Sequence, residues 1–131
     1  MGMMEIYHYI ISSPVAYQRR TQIDKNFREY GIKPNFFNAI MGNQLTEQVL
    51  QQFTAKHNIL NKGAIGCALS HLEIYRQLLK SEEPYVFVFE DDVRLSPDFV
   101  QYFPKIKEFL NQMTKPAVLL LYRVKAPTKT V

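Results

Sequence analysis

Tyr85–Phe89, YVFVF, is an unbroken run of β-branched and aromatic residues that stops against three successive carboxylates, Glu90, Asp91 and Asp92. Such a run has the signature of a strand buried on both faces, as found in the middle of a parallel sheet covered by helices. Open α/β sheets gather their ligands just beyond the carboxyl ends of their strands, so the junction at Glu90 is the first place to look for chemistry. If the extended geometry persists, Glu90 and Asp92 share a face about 7 Å apart and Asp91 points away. Two full charges at that separation repel by about 2 kcal/mol at an effective dielectric of about 20. A proton or a cation must offset that repulsion. A hard divalent cation, Mn²⁺ or Mg²⁺, completed by water and phosphate oxygens, does so most simply. The competing reading is a solvated loop whose acids accept turn hydrogen bonds, and the cluster alone does not separate the two.

The rest of the chain narrows the setting. At 131 residues it is long enough for one domain with a genuine core. The formal charge of +4 invites an anionic partner, but Lys115, Arg123, Lys125 and Lys129 account for all of it, and basic and acidic side chains balance in residues 1–114. No nucleic-acid face is implied. The division expected is a domain over residues 1–122 and a basic tail over 123–131. Cys67 is the single cysteine, which fits a reducing compartment. The first residues lack the basic and apolar pattern of a secretory signal, and no apolar run approaches the roughly 20 residues that span a bilayer. The expected location is cytoplasmic, with peripheral contact at the inner membrane.

Strands and helical stretches alternate. Met4–Ile11 reads as a first strand. A helix follows, with Pro14 in its first turn, Tyr17, Ile23, Phe27 and Tyr30 on one face, and Gly31 at its end. Arg19 and Arg20 sit in its first half, either solvated or reaching back over the strand end to a phosphate. Asn35–Ile40 reads as a short strand, and Thr46 opens a helix that runs to about His57, read as a surface residue. In the helix predicted over Gly63–Lys80, Ile65, Leu69, Leu72 and Leu79 with Ala68 and Tyr75 make the core stripe. Small residues at its start let backbone or ligand approach closely. Ser70 and His71 lie one turn inside. No nucleophile elbow surrounds Ser70, and His71 lacks a second histidine or cysteine at metal-site spacing. Ser96, Pro97 and Asp98 open a further helix with a candidate break at Pro104. Pro116–Tyr122 reads as a last strand. The order implies an α/β fold with a mostly parallel sheet flanked by helices.

Two stretches together, GAIGCALSHLEIY and YVFVFEDDV, resemble the core signature of glycosyltransferase family 25, which builds bacterial lipooligosaccharide. The first strand, Arg19–Arg20 and NFFNAI add to the likeness, which covers about residues 4–103. The resemblance implies a GT-A-like domain and an inverting transfer from a UDP-sugar, often UDP-galactose, to a lipid-linked oligosaccharide acceptor. Carried onto this chain, it implies a divalent cation on Asp92 with Glu90 in support, and donor contacts from Arg19, Arg20, Ser70, His71, Glu90 and Asp91. A metal on the donor diphosphate would stabilise charge growing on the departing UDP. No residue is singled out as the base that deprotonates the acceptor. Family members are about twice as long, so a shortened sheet is expected, with self-association through the C-terminal strand or its edge. A catalytically silent remnant that binds nucleotide-sugar or assembles with other copies is the alternative. A phosphoacceptor signalling domain is weaker, because its acidic pair would lie near the first strand.

Overall fold

The structure, a computed structural model, describes residues 5–53, 61–119 and 121. Its sheet is built from β1 (His8–Ser12), β2 (Phe36–Asn38) and β3 (Phe87–Glu90), all parallel, in the order β2-β1-β3. Helices α1 (Tyr17–Glu29), α2 (Glu47–Phe53), α3 (Lys62–Lys80) and α4 (Pro97–Asn111) flank it, and Gly42–Gln44 form a 3-10 turn. The α/β class with a parallel sheet flanked by helices is therefore as the alternation implied.

The middle strand is β1, not the apolar run that ends in acids. β1 is buried at four of its five positions, whereas β3 lies at the sheet edge with Val88 and Phe89 only half-buried. A run of aromatic and β-branched residues reports that a strand forms without fixing its place in the order. On β3, Phe87 and Phe89 project to one face, where α4 presents Phe99 and Phe103 and α1 presents Phe27. Ile10 of β1 joins Ile23, Phe27, Ile32 and Leu95 there in the core.

Local chemistry sets the helix ends. Pro14 precedes α1 instead of starting it: Ser13 holds a turn through Ala16 N–H, and the helix begins at Tyr17. Gly31 takes φ 74°, the left-handed conformation that stops the helix as expected. Thr46 Oγ1 accepts from Val49 N–H at the head of α2, Asn61 Oδ1 from Ala64 N–H at the head of α3, and Ser96 Oγ from Phe99 N–H at the head of α4. Pro104 lies within α4 without breaking it, on an exposed position of the helix.

Further expectations change, Tyr17 among them, which is 73% exposed instead of buried with Ile23 and Phe27. The core stripe of α3 is Ile65, Gly66, Ser70 and Ile74, while Leu72, Tyr75 and Leu79 are exposed, Leu79 by 85%. Both faces carry apolar residues at helical spacing, so periodicity could not choose between them. Pro116–Leu119 and Leu121 form no strand, and Val118, Leu119 and Leu121 are exposed. The remainder of that predicted strand, the tail over 123–131, Met4 and His57 lie outside the described residues.

Candidate functional site

The route from β1 through α1 to β2 runs to one side of β1 and β3 lies on the other, so the sheet changes direction at β1. Ligands collect outside the carboxyl ends of strands at such a point. A cleft of about 250 Å³ lies there. The end of β1 gives it Ile11, Ser12 and Ser13, the segment after β2 gives Ala39–Gly42, α3 gives Gly63, Cys67 and Ser70, and the end of β3 gives Glu90 and Asp91.

Close backbone approach forms its floor. A Cβ at Gly66 would run into the Ile40 carbonyl, and one at Gly42 into the Lys62 carbonyl. The glycines therefore let the 3-10 turn sit directly on the start of α3. Ser70 secures the same junction: its buried hydroxyl donates to Gly66 O and accepts from Ile40 N–H, both at 2.9 Å. With both roles taken, Ser70 shapes the cleft wall and offers a ligand little further bonding.

The two arginines separate. Arg20 reaches back over the ends of β1 and β2, donating to Ser12 O and Asn38 Oδ1, both at 2.8 Å, with its guanidinium over the Phe36 ring. Arg19 meets Asp91 at 2.8 Å, an exposed pair worth less than about 1 kcal/mol.

The three acids do not share one direction. Glu90 ends β3, and Val93 N–H bonds back to its carbonyl, turning the chain through Asp91 and Asp92. The extended geometry that would align Glu90 with Asp92 therefore stops at Glu90. Asp91 turns to Arg19, and Asp92 is exposed with no hydrogen bond or ion pair among the described residues. Glu90 turns to α3, where Cys67 Sγ donates to its Oε1 at 3.6 Å and His71 Nε2 lies 3.7 Å from the same oxygen. The ligand atoms of Cys67, His71 and Glu90 all lie within 4.8 Å of one another. Burial, and then the Glu90 carboxylate, push the Cys67 thiol above its ordinary pKa.

Sequence reasoning used Cys67 as a marker of compartment and as one of the small residues at the head of its helix, and found no metal partner for His71. The partner stands four residues before it, on the same face of the helix. For a hard cation the fit rests on Asp92, whose carboxylate is uncommitted. Mg²⁺ or Mn²⁺ takes one or two carboxylates and fills its other positions from phosphate and water.

A parallel sheet whose ligand cleft opens at its strand ends, lipped with acids, defines an α/β domain consistent with the GT-A-like fold. The profile of Glycosyltransferase family 25 (LPS biosynthesis protein) matches residues 5–128, and the chain belongs to that family. It is 33% identical over 90 residues to the lipooligosaccharide biosynthesis protein lic2B of Haemophilus influenzae, covering 67% of this chain and 34% of that protein. It is 34% identical over 94 residues to the lacto-N-neotetraose biosynthesis glycosyltransferase LgtE of Neisseria meningitidis serogroup B, covering 70% and 34%. A glycosyltransferase 25 family member of Aedes aegypti is 32% identical over 109 residues, 76% of this chain and 18% of that protein. The chain thus spans about a third of the bacterial relatives' length. No helix among the described residues is long and apolar enough to cross a membrane.

Proposed function

We propose that this chain carries the donor-binding part of a glycosyltransferase that moves a sugar, galactose in this reading, from a UDP-sugar to a lipid-linked lipooligosaccharide acceptor in the cytoplasm. The observation that carries the reading is the cleft at the carboxyl ends of three parallel strands, lined by Glu90 and Asp91 with Asp92 next in the turn that follows, in a family 25 chain. Arg19 is already paired with Asp91, so the lip keeps an excess of negative charge that would repel a diphosphate. A divalent cation, Mn²⁺ or Mg²⁺, held by Asp92, reverses that repulsion; Glu90, turned to α3, is not placed to support it. When bound, it would neutralise charge that builds on the departing UDP. The protein's own part is placement: Arg20 ties the ends of β1 and β2 together, and Ser70 with the two glycines fixes the wall opposite.

Calorimetry of UDP-galactose with and without Mn²⁺ tests this. We expect heat that depends on the metal and binding at least about tenfold weaker in Asp92→Asn, the effect of losing a single charged ligand. Equal, negligible heats under both conditions remove the donor reading.

Self-association was expected through the C-terminal strand, which residues 116–119 and 121 do not form; a different surface supports it, the stripe of Leu72, Tyr75 and Leu79 that α3 leaves in solvent. Sedimentation velocity at rising concentration should show growing mass. A constant monomer mass ends that part of the reading.

A further inference from the structure

We propose that Cys67, His71 and Glu90 form a binding site for a thiophilic divalent cation of the Zn²⁺ type, separate from the hard cation assigned to Asp92. The proposal goes beyond the donor reading and does not depend on it.

Three observations meet here. The donor set is a thiol, an imidazole and a carboxylate, the mixture that selects zinc-like ions over magnesium. Its spacing is close to that of a ligated ion. Around a tetrahedral zinc with ordinary bond lengths, sulfur and oxygen ligands stand about 3.5 Å apart and nitrogen and oxygen about 3.3 Å. The observed separations are 3.6 Å for Cys67 Sγ to Glu90 Oε1 and 3.7 Å for His71 Nε2 to the same oxygen. The three ligand atoms lie within 4.8 Å of one another, so an inward shift of up to about 1 Å by these partly exposed side chains would complete three ligands and leave a fourth position open to water.

The third observation concerns the far side of the imidazole. His71 Nδ1 lies 3.3 Å from the Tyr75 hydroxyl. If Nδ1–H donates to that hydroxyl, Nε2 is left bare and aimed at Glu90. Zinc-bound histidines are ordinarily held this way, with the second ring nitrogen bonded to an outer partner. Cys67, His71 and Tyr75 stand at i, i+4 and i+8 on α3, so one rigid helix supplies two ligands and the group that orients one of them. β3 delivers the third from its last residue. The ordinary alternative is a hydrogen bond between thiol and carboxylate beside an exposed histidine–glutamate contact, which predicts no affinity for metal. Binding of the cation releases the Cys67 thiol proton to solvent and leaves a thiolate on the metal.

Co²⁺ is the probe, added to the full chain under a phosphine reductant that keeps the thiol free. We expect one equivalent to bind, with the visible absorption of a tetrahedral ion and a near-ultraviolet sulfur-to-cobalt charge-transfer band, both erased by Zn²⁺. Cys67→Ser should lose the charge-transfer band, and His71→Asn should weaken Co²⁺ binding at least tenfold. Tyr75→Phe should weaken it less, because it removes only the orienting group. Asp92→Asn should leave the spectrum unchanged while losing the Mn²⁺-dependent heat with UDP-galactose, so the two sites fail separately. Circular dichroism of each variant confirms that α3 is intact. A wild-type protein without the charge-transfer band, a band that survives Cys67→Ser, or unchanged affinity in folded His71→Asn would overturn the site.

Discussion

Phe27→Ala is expected to lower the unfolding free energy by roughly 3–5 kcal/mol, the usual result of truncating a fully enclosed aromatic side chain. Phe27 has 0% exposure and stands where both strands and both covering helices meet. Its ring meets Phe89 of β3 edge-on at 5.5 Å and lies 5.8 Å from the His8 ring of β1. Ile10, Ile23, Ile32 and Leu95 close the cluster around it. Removing the ring deletes the transfer free energy of its carbons and leaves a hole bounded by a sheet that cannot collapse inward. Domains of this size have total stabilities of only about 5–15 kcal/mol, so the variant should sit near the edge of folding. Tyr17→Ala on the same helix is the control: Tyr17 is 73% exposed, and its loss should change stability by less than about 0.5 kcal/mol. Urea titrations of the three proteins decide it. A loss below about 1 kcal/mol for Phe27→Ala would mean that α1 is not docked on the sheet as described. The site is involved too, since α1 carries Arg19 and Arg20 to the strand ends and a loosened helix would release both.

Much of this arrangement could be read from the residues. The parallel α/β class followed from strands alternating with helical stretches, and the ends of α1 and α4 followed from Gly31 and from Ser96–Pro97, where one residue type has a specific backbone consequence. The junction at Glu90 was marked by the abrupt change from apolar to acidic. Less was legible where the deciding contact lies far off in sequence. Whether α3 buries Ser70 and Ile74 or Leu72 and Leu79 depends on which face admits the 3-10 turn at Gly42, and only small residues at Gly66 and Ser70 do so. The stripe with larger apolar residues was the natural choice, and volume was the wrong criterion. The direction of Glu90, Asp91 and Asp92 was equally hidden, because one hydrogen bond from Val93 N–H to the Glu90 carbonyl ends the strand alternation on which their facing was argued. Sequence reasoning missed the i, i+4 pairing of Cys67 with His71, and their third partner comes from β3 and needed the fold to bring it near.

His8→Ala should cost roughly 2–5 kcal/mol near neutral pH, and the wild type should itself lose stability as the solution is acidified below about pH 6.5. His8 is buried in β1, and both ring nitrogens are in use. Nδ1 lies 2.7 Å from the Ile6 carbonyl, so it must carry a proton to donate; Nε2 receives the Asn35 N–H at 3.1 Å, so it must be bare. Only the neutral ring meets both demands. A second proton would set an N–H against the Asn35 N–H and break a link between β1 and the segment entering β2. Burial holds the folded pKa below the ordinary histidine value, and the Ile6 bond, which pulls the other way, does not overcome it. In the unfolded chain the ring takes up its proton near pH 6.5. Below that pH the unfolded state therefore binds more protons than the folded one, so stability falls as the pH drops through the folded pKa. Above about pH 6.5 the contribution is fully present. His8→Gln keeps one donor and one acceptor without a titrating ring, so its urea midpoint should vary less between about pH 7.5 and pH 5.5 than the wild type's. Equal pH dependence in the two proteins would show that the ring is not held neutral. Neutral His8 could then not be what ties the middle strand to the chain entering β2.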